Sequence, residues 1–272
     1  MDILFENNTK DQIREAADKN AMVLLPVGIL EEHGSHLPVN TDNVIAYDIA
    51  KQAAEKIKDK IPVMVLPCVW AGYHGKELEN LPGSVRVKPK TLFYFVYDIC
   101  ESLVRNGFKK IVIVNGHGQN PAILQFVSRC IANDYNVNIL VTYPMAMIGK
   151  EVGKQVKTSP EGGAGGHACE VETSLVLALR EQLVDMSKAP KGDLCRHRTK
   201  FFSGDLFPEH EVLNFGYFST WAAQGSKSGV LGEPSYATAE KGKAFVEAIV
   251  QNYEELLTEY YHLVEQEVTD QG

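Results

Sequence analysis

Four of the chain's eight histidines, His33, His36, His117 and His167, fall in three short glycine-flanked segments. The first runs Gly28-Ile29-Leu30-Glu31-Glu32-His33-Gly34-Ser35-His36 and continues to Asn40-Thr41-Asp42. The second is Asn115-Gly116-His117-Gly118-Gln119-Asn120, and the third runs from His167 to Ser174 through Glu170 and Glu172. Taken singly, each residue has an ordinary use. A lone His is a hydrogen-bonded loop residue, Asp42 a helix cap, and Glu172 a solvated helix position. Together they bring imidazole nitrogens and carboxylate oxygens into loops that glycine allows to turn tightly. That donor set suits Zn, Mn or Fe in a catalytic role. Cys169 is the only thiol in these segments, so a structural cysteine–zinc site is not expected. Glu31 and His33 stand two apart, and in extended backbone they face one way while Glu32 faces the other. The carboxylate of Asp42 has two oxygens and can bridge two ions. Such a pair would hold one hydroxide as nucleophile and polarise a carbonyl.

The elements that must position these residues alternate. Apolar runs at 22–28, 62–67, 110–115 and 137–142 read as strands, and those buried on both faces suit a parallel sheet. Helical spacing covers 9–19, 42–58, 90–106, 120–132, 168–179 and 237–265, with Gly107 as a helix stop. Strands alternating with helices predict an α/β fold, a mostly parallel sheet covered on both faces. In such folds ligands gather at the carboxyl ends of the strands, where the three segments fall. Residues 190–232 read as irregular and aromatic, either a lid or a subunit contact. Trp221 and the aromatic residues of 201–218 read first as core or subunit contact. No composition break marks a second domain, so residues 1–272 are expected to form one.

Composition sets outer bounds. The chain has 272 residues, 35 acidic against 27 basic, and a formal net charge of −8. With 44% apolar and 23% charged residues it has ordinary globular usage. These figures exclude a disordered tail, a collagen-like fibre and a disulfide-stapled miniprotein. An acidic balance argues against a general nucleic-acid binder. The five cysteines are scattered, with no C-x-x-C pair, and read as reduced thiols. The first 20 residues lack a signal-peptide pattern, and every apolar run is too short to span a bilayer. The expected setting is cytoplasmic, without nucleic-acid or membrane partners. Neither G-x-G-x-x-G nor G-x-x-x-x-G-K-[ST] is present, which argues against a nucleotide-binding protein.

LPVGILEEHGSHLPVNTD resembles the signature of the creatininase (creatinine amidohydrolase-like) metallohydrolase family, close to P-V-G-S-x-E-Q-H-G-x-H-L-P-x-x-T-D. VNGHGQN, HACEVETSLVLAL, GVLGEPSYATAEKG and YHGKELENLPGSV are similar to four further family motifs. All five stand in family order over nearly the whole chain. The resemblance implies a three-layer α/β/α sandwich, two divalent ions per chain (Zn, Mn or Fe) and a homo-oligomer, often a hexamer. Carried over by position, Glu31, His33, Asp42, His117 and Glu172 match the metal ligands, with Asp42 as the bridge. His167 matches the histidine that handles substrate and protons. Helical spacing from His167 alone would favour Glu170, since i and i+2 diverge by about 200° on a helix. The family's fixed E-T-S favours Glu172, which leaves Glu170 to cap the helix or meet substrate.

Three departures bear on the substrate. After the second-motif His, true creatininases carry Tyr and Glu, where this chain has Gly118 and Gln119. Their substrate loop holds tryptophans, where the stretch before His167 is EGGAGG. Cys169 replaces a usual Gly. A planar creatinine would lack a stacking partner, which points to a family member other than a true creatininase. His36 reads as a residue holding a ligand by a hydrogen bond. His74 and Gln119 are candidate substrate contacts. His197, His210 and His262 read as surface or packing residues.

The expected activity is hydrolysis of a small polar amide or cyclic amide, with His167 as proton donor to the leaving nitrogen. The same site would suit ring opening of a cyclic keto-sugar of the dehydro-inosose type, or peptide or formamide hydrolysis. A non-catalytic metal-binding scaffold is the alternative of a different class.

Overall fold

The computed structural model describes residues 1–76, 81–194, 200–201, 203–209, 211–212, 226 and 228–270, with side chains as far as 263 in the last helix. Four parallel strands form one sheet: β1 (Met22–Val27), β2 (Val63–Val65), β3 (Lys110–Asn115) and β4 (Ile139–Thr142), in the order β2-β1-β3-β4. The register pairs Met22 with Val63, Val27 with Asn115, and Val114 with Thr142. All residues of β1, β2 and β3 are buried, as continuous apolar runs in a doubly covered parallel sheet require.

Alternation along the strands divides the core in two. On one face Met22, Leu24, Val63, Val65, Val112 and Val114 pack against α2 (Thr41–Ile57), α6 (Glu170–Arg180) and α7 (Ala239–Asp270). On the other, Val23, Leu25, Val27, Met64, Ile111 and Ile113 pack against α1 (Lys10–Asp18), α3 (Pro89–Arg105) and α4 (Pro121–Tyr135). The result is the expected α/β/α sandwich.

The helix boundaries have local causes. Thr9 and Gln12 form a capping box on α1, and prolines open α3 and α4 where a missing N–H costs nothing. Asn136 ends α4 in the left-handed region at φ 53°. Three strands are shorter than the apolar pattern suggests, β1 by one residue and the edge strands β2 and β4 by more. β2 is an edge strand, and the proline at 67 cannot donate to a ladder. A short helix, α5 (Lys150–Val156), fills a stretch in which the sequence pattern predicts no element. No described helix is long and apolar enough to cross a membrane.

Among the described residues of 190–232 there are only isolated bridges, such as Asp193 to Leu231. Phe207 is buried and stacks on Phe245 of α7 at 6.4 Å, a core role for one of the aromatics of that stretch. Trp221, His197, His210 and most of the aromatic stretch lie outside the described residues.

Candidate metal centre

Each of the three segments begins at a strand's carboxyl end or a helix's amino end. Past β1 the backbone N–H of Glu31 donates to Val39 O at 2.9 Å, and Leu30 bridges Val85. This extended stretch turns the carboxylate of Glu31 and the ring of His33 inward together. His33 Nδ1–H donates to the carbonyl of Glu31 at 3.0 Å, so its Nε2 carries the lone pair. Past β3, Gly116 packs so tightly on α2 that an added Cβ would stand 2.2 Å from the backbone oxygen of Asp42. Only glycine lets the His117 loop approach the helix this closely. His117 Nε2–H donates to Tyr73 O at 2.9 Å, leaving Nδ1 with the lone pair. Asn120 is fully buried and braces the corner. Its amide donates to Gly28 O, and its oxygen accepts from Tyr73 N–H at 3.0 Å.

Asp42 stands in the first turn of α2, where the helix N-terminus favours a carboxylate. Its side chain does not cap the helix. Oδ1 is 3.1 Å from His33 Nε2, and Oδ2 is 2.8 Å from His117 Nδ1. Glu31 Oε2 is 3.1 Å from the same His117 Nδ1. Glu172, in the first turn of α6, joins His33 and Asp42, while its Oε2 accepts from Ala168 N–H at 2.5 Å. Three overlapping groups result: Glu31–Asp42–His117, His33–Asp42–Glu172 and Glu31–His33–His167. All are buried.

The donor set fits cations. Both carboxylate oxygens of Glu31 and the Nε2 of His33 are buried without an aligned hydrogen bond, although charged partners stand about 3 Å away. Lone pairs facing lone pairs in a dry site need a positive charge between them. In the metal-free protein, protons supply it. Burial alone would lower the His33 pKa, yet Asp42, Glu172 and Glu31 outweigh it and hold it at about 10. His117 is likewise held well above its usual range, against burial, by Glu31 and Asp42. Against the opposing push of burial, Asp42 is held low by His33 and His117, and Glu31 by His117 and His167. Glu172 goes the other way, up to about 7, mainly through burial.

His167 arrives from the glycine-rich segment. Its Nε2–H donates to the carbonyl of Glu32 at 2.5 Å, and its ring lies 4.0 Å from that of His33. Burial and the neighbouring His33 press its pKa down to about 4.

The remaining candidates separate. Glu170 is turned away from the centre. Its carboxylate accepts from the N–H groups of Thr158 and Ser159 at 3.0 Å each and contacts Lys241 Nζ. Glu170 therefore does not cap its own helix, and its oxygens are taken up in a buried ion pair. His36 Nε2 contacts Thr173 Oγ1 at 2.9 Å, so it holds α6 beside Glu172 rather than a ligand directly. His74 is fully buried, with Nδ1–H donating to Gly75 O at 2.7 Å and Nε2 unpartnered. Gln119 Oε1 accepts from Gly75 N–H at 2.8 Å. Both shape the loop beside His117, and neither enters the three groups. Glu32 does not face away as alternation predicts. Its Oε1 is buried, unpartnered and 3.7 Å from His167 Nε2. The side chain folds back on itself, with Oε2 accepting from Gly34 N–H at 3.0 Å, so the direction in which the residue leaves the backbone does not fix where its carboxylate ends.

A doubly wound α/β sandwich with a buried imidazole–carboxylate centre at its strand ends is the frame of a metal-binding hydrolase. The chain belongs to the creatininase family: the family model for creatinine amidohydrolase matches residues 6–257. A 3-dehydro-scyllo-inosose hydrolase of Thermotoga maritima is 29% identical over 94% of this chain and 82% of that one. Creatinine amidohydrolase of Pseudomonas putida is 27% identical over 93% and 94%. A mycofactocin precursor peptide peptidase of Mycolicibacterium smegmatis is 30% identical over 82% and 78%. Among solved structures, a creatininase variant complexed with creatine superposes with a TM-score of 0.78, at 25% identity over 96% and 99% of the two chains. Creatininase in a Mn form has a TM-score of 0.76 at 26% identity over the same shares.

Proposed function

We propose that the 272-residue chain works as one hydrolase unit, in which Glu31, His33, Asp42, His117 and Glu172 hold two divalent ions (Zn, Mn or Fe) and a small polar amide or cyclic amide is the substrate. One observation carries the reading: the two oxygens of Asp42 point at different histidines, at 3.1 and 2.8 Å, so one carboxylate belongs to two ligand groups. When bound, such a pair of ions supplies an activated water and polarises a carbonyl.

The chain's own residues do the rest. Nδ1–H of His33 and Nε2–H of His117 are engaged on backbone carbonyls, which fixes both tautomers and aims the opposite nitrogens inward. His167, its ring 4.0 Å from that of His33, is the residue that handles the proton. With Nε2–H on the Glu32 carbonyl, its Nδ1 is the nitrogen that takes the proton of the attacking water and returns it to the leaving nitrogen. The homo-oligomeric and cytoplasmic readings stand alongside as proposals.

A second reading has its own support. The stretch 161–166 has no aromatic to stack a planar ring, and Glu32 Oε1 and His74 Nε2 are buried acceptors lacking donors. A hydroxyl-rich cyclic ketone could supply them. Water would add to the ketone, the adjacent carbon–carbon bond would break, and the released electron pair would take the proton carried by His167. The relative from Thermotoga maritima gives this reading weight.

Purified protein loaded separately with Zn, Mn or Fe would be assayed against creatinine, small cyclic amides, formamides, short peptides and inosose-type ketones. Turnover with about two ions per chain supports the reading. Folded protein that takes up no metal overturns it.

A further inference from the structure

The glycine-rich segment ahead of His167 is buried for most of its length, from Gly162 to Gly165. A Cβ on Gly165 would stand 2.0 Å from Gly204 O, one on Gly232 2.8 Å from Gly163 O, and one on Gly192 1.8 Å from Gly232 O. These glycines let four stretches of backbone stack against one another. They do not open space for a substrate. Backbone bonds join the stretches where Glu233 N–H donates to Gly163 O at 2.9 Å and Gly232 N–H to Asp193 O at 2.7 Å, and the turn at Gly162 that starts the segment takes its partner from a side chain. Gly162 and Gly166 have φ of 89° and 98°, and Ala168, directly after His167, is a non-glycine residue at φ 52°.

Asp205 supplies that side chain. Its carboxylate is wholly buried. Oδ2 accepts from Gly162 N–H at 2.6 Å, and Oδ1 accepts from Phe207 N–H at 2.8 Å. Lys157, whose side chain is 6% exposed, places Nζ 3.2 Å from Oδ2. A buried ion pair adds little net stability over apolar side chains of the same size. Charge-assisted hydrogen bonds from one carboxylate do fix direction. From Gly162 the stacked backbone runs to His167, whose N–H and C=O pair with Leu231 at 2.9 and 2.8 Å. At its upstream end the segment is secured separately, by Glu170 and Lys241 on Thr158.

We propose that Asp205, with Lys157, is a positioning residue for His167: the pair fixes Gly162 and, through the stacked glycines, the backbone from which the imidazole reaches the centre. Part of the 190–232 stretch is then a brace of the site rather than a lid. The catalytic consequence rests on the proton role proposed for His167, and the structural consequence does not.

The test uses the full chain loaded with Mn or Zn. Asp205→Asn keeps shape and removes charge, and Lys157→Met removes the partner. Hydrogen–deuterium exchange read by mass spectrometry should quicken roughly tenfold or more across residues 161–167 in both variants, as loss of a charge-assisted hydrogen bond implies. Exchange across 22–34 and 110–118, and bound metal per chain, should stay at wild-type levels. With whichever substrate the screen identifies, kcat should fall about tenfold with KM held. Wild-type exchange across 161–167 in both variants overturns the proposal. So does loss of metal and of melting temperature in step with activity, which would make Asp205 a general stabiliser. Should Asp205→Asn not fold, Lys157→Met carries the same readouts. Should the wild type turn over none of the screened substrates, the exchange result still decides the brace, and only the hydrolase reading fails.

Discussion

Nδ1 of His117 faces Oδ2 of Asp42 at 2.8 Å, with the opposite edge of the ring tied to the backbone at Tyr73. Because Nε2–H is held on that carbonyl, Nδ1 is the nitrogen that gives up its proton when a cation takes the place between ring and carboxylate. His117→Ala should therefore remove one ion and leave the group of His33, Asp42 and Glu172 able to keep the other. Asp42→Asn should weaken both, since each group uses it. Metal analysis of the dialysed variants, about one ion against close to none, checks the difference.

The centre also sets a pH dependence. His33 has a folded pKa of about 10 against an ordinary 6.5, and His117 is raised as well. A raised histidine stabilises the metal-free fold fully below its unfolded value and loses that contribution as pH climbs through the folded one. Stability of the metal-free protein should fall steadily from pH 7 to pH 10 in urea melts. His167 and His36, both near 4, act with the opposite sign, and only between about pH 4 and 6.5. Metal-loaded protein should lack the alkaline loss, because the ions take the place of the protons. Titration with Zn at pH 8 should release about two protons per chain, measured as buffer-dependent heat.

Glu170 and Glu172 sit two apart in one helix turn and should behave oppositely. Glu172→Gln should lower metal content while leaving the fold intact. Glu170→Gln should keep the metal but lower stability, since it strips charge from a buried pair with Lys241. Breaking such a pair typically costs about 3–5 kcal/mol. Thermal melts and metal analysis on the two variants separate the roles, and a metal-free Glu170→Gln would contradict the assignment.

Much of this was legible from residue order. β1 and β3 are unbroken apolar runs, so their place inside a parallel sheet follows from burial alone. The three candidate segments stood out as histidines and carboxylates clustered beside glycines, and only the resemblance to the creatininase family picked the five proposed ligands from among them. Glu170 against Glu172 was not settled by helical periodicity, because the distant Lys241 and the N–H groups of 158–159 decide where Glu170 turns. Asp205 left no signal: a lone Asp in an irregular stretch gains its role only from a glycine 43 residues away. Alternation misplaces Glu32 because it gives the side from which a residue leaves the backbone, and the Gly34 N–H then draws the long side chain back.

Gly116→Ala tests whether close backbone approach, rather than ligand chemistry, assembles the centre. The substitution leaves every donor atom in place. The new methyl would fall 2.2 Å from Asp42 O and 3.1 Å from the Ala46 side chain, and the nearest of these atoms is helix backbone that cannot rotate aside. The His117 loop or the start of α2 must shift. Overpacking of this kind costs about 1–3 kcal/mol, which the fold should survive. A shift of even half an ångström would part His117 Nδ1 from Asp42 Oδ2, so metal affinity should fall more steeply than stability. Gly118→Ala, two residues on in the same loop, has open space at its Cβ and serves as the control. Equal metal affinity in the two variants would show that the loop is not set by its contact with α2.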